Sequence, residues 1–268
     1  MLIRPTLGTI SPYTLGYDIP PRQRLLPHMQ NRYTGDIGDY IKYALLRTLS
    51  SGLKLGVAWY LYLNEDHNSD GRHVQYLEDP QRWRHLDPEL FDALKRIVAS
   101  DRSVSAVEAA GLIDAVFSAH PLDHGAHHHS VRAKSREEWF SSVQSDLTGC
   151  DLVFADPDNG LIDDGPHRRN RCKFGKQMPI SEAKALATGR AAVIYHHNSR
   201  FPGGHELEID HWSRQLGPDT ITVRANAYSC RTFFIVSPVQ PILERAQLFA
   251  ERWQHHRVSF YHVQRHTL

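Results

Sequence analysis

DLVFADPDNGL, residues Asp151–Leu161, sets four hydrophobic side chains ahead of Asp156 and follows that acid with Pro157-Asp158-Asn159-Gly160. A short apolar run bounded by turn formers reads as a strand buried on both faces, the kind found in parallel sheets. Asp-Pro and Asn-Gly favour turns, so Asp158 and Asn159 have a simple loop reading. Asp156 is harder to explain that way. It directly follows a buried run, where an acid needs a partner or a task because an unpaired buried charge is costly.

Two further runs have the same character: LKLGVAWYLYL (Leu53–Leu63), ending in the polar loop NEDHNSDGR (Asn64–Arg72), and AAVIYH (Ala191–His196). Helical patterns separate the strands. Asp36–Ser50 places Ile37, Ile41, Ala44, Leu45 and Leu49 on one stripe behind an acidic start. Asp87 with Pro88 marks a helix start whose inner face is Leu90, Phe91, Leu94, Ile97 and Val98. A short helix near Ser105–Ala110 and a strand near Ile113–Ser118 follow. Ser135 with Glu138 has the capping-box spacing, ahead of Trp139, Val143 and Leu147, and Ser181 is placed to cap a short helix ending at Gly189. A weaker helix spans His205–Leu216. TITVRAN (Thr220–Asn226) and CRTFFIVSP (Cys230–Pro238) read as a hairpin, followed by a helix over Pro241–Gln254.

Alternating strands and helices predict an α/β fold, a three-layer sandwich with a mostly parallel sheet ending in an antiparallel hairpin. Ligands of open α/β sheets bind beyond the carboxyl ends of the strands. The loops Asn64–Arg72, Asp156–Lys176 and His196–Gly204 would then share one polar rim.

Bulk properties narrow the classes. The 268 residues are 41% hydrophobic, with net charge +1, so no global field draws in nucleic acid and any such contact must be local. No apolar run reaches the roughly 18 residues of a membrane span, and no secretory signal is evident. Cys150, Cys172 and Cys230 are widely spaced, which predicts a reducing, cytoplasmic setting. Residues 1–33 are rich in Pro, Arg and Gly and read as an irregular arm ahead of one domain, 34–268. HGAHHHS (His124–Ser130) lacks helical spacing and reads as a solvated loop.

Several chemistries would use the cluster. Asp156 and Asp158 form a hard oxygen pair suited to Mg²⁺, as in a nuclease or phosphohydrolase. A hydrophobic strand before Asp-x-Asp also matches haloacid-dehalogenase-type phosphatases, although those carry the motif near the start of the chain. In methyl transfer to an amine, an acid and the Pro157 carbonyl would accept hydrogen bonds from the amine and aim its lone pair. HRRNRCKFGK (His167–Lys176) supplies Arg168, Arg169, Arg171, Lys173 and Lys176 without an acid, a candidate phosphate contact, and YHHNSR adds Arg200 with His196 or His197 as a candidate base.

YTGDIGDYIKYALLRTL resembles a segment of the large-subunit ribosomal-RNA adenine methyltransferases, whose pattern there is G-N-x-x-D-x-x-K-H. Gly35, Asp36, Asp39 and Lys42 match its spacing, with Asp36 for Asn and Tyr43 for His. That family's Asp-Pro-Pro-Tyr aligns with Asp156-Pro157-Asp158-Asn159, so Asn159 stands where the family has an aromatic. The chain is still more similar to an uncharacterised group of bacterial proteins with G-D-x-G-D-x-x-K, L-G-V-x-W-Y-L and D-P-D-N-G-L. The resemblance implies a Rossmann-like methyltransferase sheet in which Leu53–Leu63, Asp151–Ala155 and Ala191–His196 are the first, fourth and fifth strands. It implies S-adenosylmethionine as cofactor, a nucleic-acid or nucleotide amine as substrate, and Asp156, Pro157, Asp158 and Asn159 as catalytic residues, to which the candidate base His197 is added from its place in YHHNSR. Asp39, Lys42, Asn64, Glu65 and Asp70 would form or support the cofactor pocket, and the basic loop with Arg200 would hold phosphate. The first strand ends in NEDHNSDG and not in a glycine-rich turn, which keeps two alternatives open: a Mg²⁺ enzyme on the same rim, and a degenerate nucleic-acid- or partner-binding module.

Overall fold

The computed structural model describes residues 33–62 and 73–262. The arm, apart from Tyr33, and the loop with Asn64, Glu65 and Asp70 lie outside the described residues. In chain order the strands are β1 (Leu55–Trp59), β2 (Ala115–Ser118), β3 (Leu152–Asp156), β4 (Leu161–Ile162), β5 (Met178–Pro179), β6 (Ala191–His197), β7 (Ile221–Ala225), β8 (Arg231–Val236) and β9 (Val258–His262). The helices are α1 (Ile37–Leu49), α2 (Pro80–Trp83), α3 (Pro88–Ala99), α4 (Val104–Ala109), α5 (Arg132–Asp146), α6 (Pro166–Arg169), α7 (Ile180–Leu186), α8 (His205–Leu216) and α9 (Gln240–Trp253).

Seven strands form one sheet in the order β2-β1-β3-β6-β8-β7-β9, and β4 pairs with β5 in a separate ribbon. β3 lies parallel between β1, with Trp59 opposite Asp156, and β6, with Leu152 opposite Ala191. β2 is parallel to β1 on its other side. The β7–β8 hairpin is antiparallel, with β8 against β6, and β9 adds an antiparallel edge. The sheet is therefore parallel in its centre and antiparallel at one side.

Pleating explains the two cores. Leu152 and Phe154 of β3 join Val57, Val193 and Phe233 on one face, packed against α1, α3 and α9 through Ile41, Leu45, Phe91 and Phe249. Val153 and Ala155 join Ile194 and Phe234 on the other face, packed against α5, α7 and α8 through Val143, Ala183 and Trp212. Successive side chains of a strand point to opposite faces, so a strand covered on both sides must be apolar throughout.

Local signals set most helix starts. Asp36 caps α1, its carboxylate accepting the Asp39 N–H at 3.0 Å, and Asp87 caps α3 ahead of Pro88, accepting the Leu90 N–H at 3.1 Å. Four expectations change. β1 ends at Trp59, not Leu63. Only β2 lies between β1 and β3 among the described residues, so β3 is third in chain order there, not fourth. Ser135 does not cap α5, which begins a turn earlier at Arg132; the Ser135 N–H bonds to the Val131 carbonyl inside the helix. Arg132, Ala133 and Lys134 are good helix formers and extend it backwards. Ser181 also lies inside its helix, α7. Its N–H and hydroxyl are taken by Asp164 at 3.0 and 2.5 Å, so a distant carboxylate supplies the cap.

Candidate functional site

Asp156 closes β3 at the carboxyl end of the parallel strands, its side chain 10% exposed. α1 crosses the same end and brings Lys42 to it. The Lys42 ammonium lies 2.8 Å from Asp156 Oδ2 and 2.7 Å from Asp39 Oδ1. Asp39 Oδ2 in turn accepts the Gly35 N–H at 2.9 Å, which ties the string to the turn before α1. Lys42 faces inward on a helix whose residues Tyr40, Ile41, Tyr43 and Ala44 are buried all round it. Burial opposes its charge, but Asp156 and Asp39 outweigh that and hold its pKa well above the usual value. Burial raises Asp156 despite the Lys42 ammonium, and burial together with Asp39 raises Asp36. Asp156 Oδ1 takes no hydrogen bond among the described residues, so within them only one carboxylate oxygen is held.

Arg231 opens β8 opposite His197 and reaches the same cluster. Its guanidinium lies against Gly38, where a β-carbon would fall 2.5 Å from Nη1, so α1 can approach only because that residue is glycine. Nη2 donates to the Ser229 hydroxyl, while Nε and Nη1 have no acceptor among the described residues. The Tyr43 hydroxyl, fully buried, is likewise without one there. Pattern reading missed Arg231; the available signal was a lone arginine at the head of the apolar run TFFIV.

No family model matches the chain, and no curated protein does.

The rest of the DPDNGL turn is built as structure. The Pro157 carbonyl accepts the Gly160 N–H at 3.3 Å, leaving its second lone pair. Asn159 is exposed and donates its N–H to the Lys176 carbonyl at 2.9 Å, and Asp158 is half-buried. Leu161 donates its N–H to His196 Nδ1 at 2.9 Å, so Nδ1 is unprotonated and Nε2 carries the proton to Glu208 Oε1 at 3.1 Å. His196 is therefore a satisfied core histidine and not a free base. His197 is exposed at the end of β6. The second and third predicted rim loops do meet, through Gly160 and Leu161 against His196.

Glu208 is buried and holds the β6 end together. Asn198 Nδ2 and the Ser199 N–H and hydroxyl also bond to it, at 3.1, 3.0 and 2.6 Å. Burial works against its charge, but hydrogen bonds from His196, Ser199 and Asn198 outweigh burial and hold the carboxyl at about 2, from 4.5. A depressed folded-state pKa stabilises the fold above the unfolded pKa, and this is lost as pH falls through the folded one. Glu208→Gln is expected to remove the part of acid destabilisation that falls between pH 4.5 and about 2. Denaturant melts across that window would show an unchanged slope in the variant if this hydrogen-bond set were absent.

The basic loop is less uniform than its sequence. Arg168 lies 3.2 Å from Asp163 and Arg169 lies 3.5 Å from Glu137. Lys176 sits over the Tyr62 ring at 5.3 Å. Arg171, Lys173 and Arg200 are exposed. In the His-rich run His127, His128 and His129 are exposed as expected, but His124 is buried and bonds through Nε2 to the Arg171 carbonyl at 3.2 Å. Burial first, then the Arg136 charge, lowers His124 to about 4. Two recesses among the described residues, of about 330 and 230 Å³, lie elsewhere, one between α1 and α9, the other between α5 and α7, and neither is lined by Asp156, Lys42 or Asp39.

Proposed function

We propose that the protein is a Rossmann-like, S-adenosylmethionine-dependent methyltransferase acting on an amine of a nucleic acid or nucleotide, with Asp156 receiving that amine. The carrying observation is the asymmetry of Asp156 at the carboxyl end of β3: Oδ2 is held at 2.8 Å by Lys42, and Oδ1 takes no hydrogen bond among the described residues. The sheet supports the reading. β3 and β6 are parallel neighbours, and the antiparallel β7–β8 hairpin follows them in the sheet; a closing hairpin is what the resemblance implies for such a sheet.

An amine at this rim would donate to Asp156 Oδ1 and to the free lone pair of the Pro157 carbonyl. Two acceptors fix the nitrogen and aim its lone pair, which is catalysis by positioning. Lys42 locks the Asp156 rotamer and sustains its charge against burial. S-adenosylmethionine, when bound, supplies the electrophilic methyl group. The described residues fit its charge: Asp36, Asp39 and Asp156 outnumber Lys42 and Arg231, and a net negative site favours a sulfonium. Asp39 and Lys42 act through that field, because their polar heads are already paired. Arg171, Lys173 and Arg200, all exposed, would meet phosphate. The same Lys42 ammonium favours this reading over a Mg²⁺ hydrolase, since it already holds Asp156 Oδ2 and leaves a metal ion a single oxygen of that carboxylate.

Asp156→Asn is expected to lower methyl transfer to nucleic-acid amines about 100-fold or more, the scale of losing a positioned group, while S-adenosylmethionine still binds. Calorimetric titration with the cofactor, then with Mg²⁺, checks this. A wild-type protein that binds Mg²⁺ through Asp156 but no cofactor would favour the hydrolase. One that binds neither, yet binds RNA or DNA, would be the binding module.

A further inference from the structure

The β7–β8 hairpin turns at the same rim and carries a feature that positioning an amine does not use. Tyr228 at its tip has φ +62°, and the Ser229 N–H donates to the Ala227 carbonyl at 2.8 Å. A hydrogen bond spanning two residues across a positive φ is the strained form of γ-turn, which bulky residues rarely adopt. Glycine takes such a backbone without steric cost. An aromatic stands there instead, 52% exposed. Strain of this kind persists where the side chain has a use.

The ring is aimed and anchored. It stacks on the exposed His73 ring with centroids 5.5 Å apart and planes 26° apart. The His73 carbonyl accepts the Ile37 N–H at 3.0 Å, in the first turn of α1. On the other side Ser229 is held by Arg231, whose guanidinium lies on Gly38 of the same turn. Two independent links thus tie the ring pair to the segment Asp36–Lys42 that leads to Asp156.

We propose that Tyr228, backed by His73, is a stacking platform for a nucleobase and so determines what the site accepts; this rests on the reading of the substrate as an amine-bearing base. An exposed π face takes any base, and removing such an aromatic weakens single-strand binding by about 5- to 100-fold. A single strand is the right ligand because its bases are free to leave their neighbours.

The test titrates labelled single-stranded RNA, and DNA of the same sequence, into the full chain without S-adenosylmethionine, with a thermal melt of every variant. Tyr228→Ala and Tyr228→Gly are expected to weaken binding about 5- to 100-fold, and Tyr228→Phe to stay within about twofold. Tyr228→Gly should melt at or above the wild type because it relieves the positive φ. A Gly variant that melts lower yet binds normally would show that the ring serves the fold, and would overturn the proposal. So would a wild type that binds neither strand. Cofactor binding and methyl transfer play no part in this measurement, so failure of the stacking platform is told apart from failure of the methyltransferase reading.

Discussion

Lys42→Met is expected to destabilise the protein by about 3–5 kcal/mol at neutral pH, the range for removing one partner of a buried ion pair. The ammonium lies within 2.8 Å of carboxylates on both sides, and Lys42 is 6% exposed. Without it, Asp39 and Asp156 face each other with Asp36 nearby and little water to separate them. The sign with pH follows from linkage. Burial already holds Asp156 above its ordinary range, and loss of the cation that opposes this raises it further above the unfolded value near 3.9. Groups raised in this way cost nothing below the unfolded pKa and destabilise increasingly as pH rises through the folded one. The gap between variant and wild type should therefore be wide at pH 7 and narrow toward pH 4. Denaturant melts at several pH values measure it. Adding Asp39→Asn and Asp156→Asn to Lys42→Met should recover much of the loss, because amides need no counter-charge. A gap under about 1 kcal/mol at pH 7, typical of exposed pairs, would show that the string is hydrated and does not organise the site.

The string joins parts of the chain that sequence patterns handle unequally. Leu152–Ala155 and Ala191–Ile194 are apolar at every position, so their status as strands covered on both faces could be read directly. α1 could be read from its stripe and from Asp36, and α3 from Asp87-Pro88, because caps act within three residues. The pairing of Lys42 with Asp156 spans 114 residues and leaves no periodic trace. Asp156 was still legible as a residue needing a partner; which partner was not. Ser181 was misread for the same reason in reverse. A local rule named it a cap, and Asp164, 17 residues upstream, took both of its polar groups. His196 resembled a base until its two nitrogens met Leu161 and Glu208. β9 was missed because VSFYH follows Arg257 in a left-handed conformation (φ +62°) and alternates only weakly. Ser181 and His196 are misses of one kind, a distant contact overriding a local signal.

Gly160→Ala is the other large effect, and it bears on the motif that opens the rim. Gly160 has φ +80°, a backbone that costs an L-residue about 1–2 kcal/mol. A β-carbon there would also fall 2.3 Å from His196 Nδ1 and 2.6 Å from His196 Cα. A ring nitrogen can swing aside, but the Cα belongs to β6 and cannot, so overpacking adds about 1–3 kcal/mol. Moving His196 also strains its bonds to the Leu161 N–H and to Glu208, which hold the turn and the end of β6 together. The expected total is about 2–5 kcal/mol, summed from those two terms. Gly52 supplies the control. It too has positive φ, +72°, but a β-carbon there meets nothing within 4 Å. Gly52→Ala should therefore show the backbone cost alone. The difference between the two variants in denaturant melts isolates the contact between the DPDNGL turn and His196. Equal losses would mean that the turn does not seat on β6, and Asp156 would then lack the rigid support that positioning an amine requires.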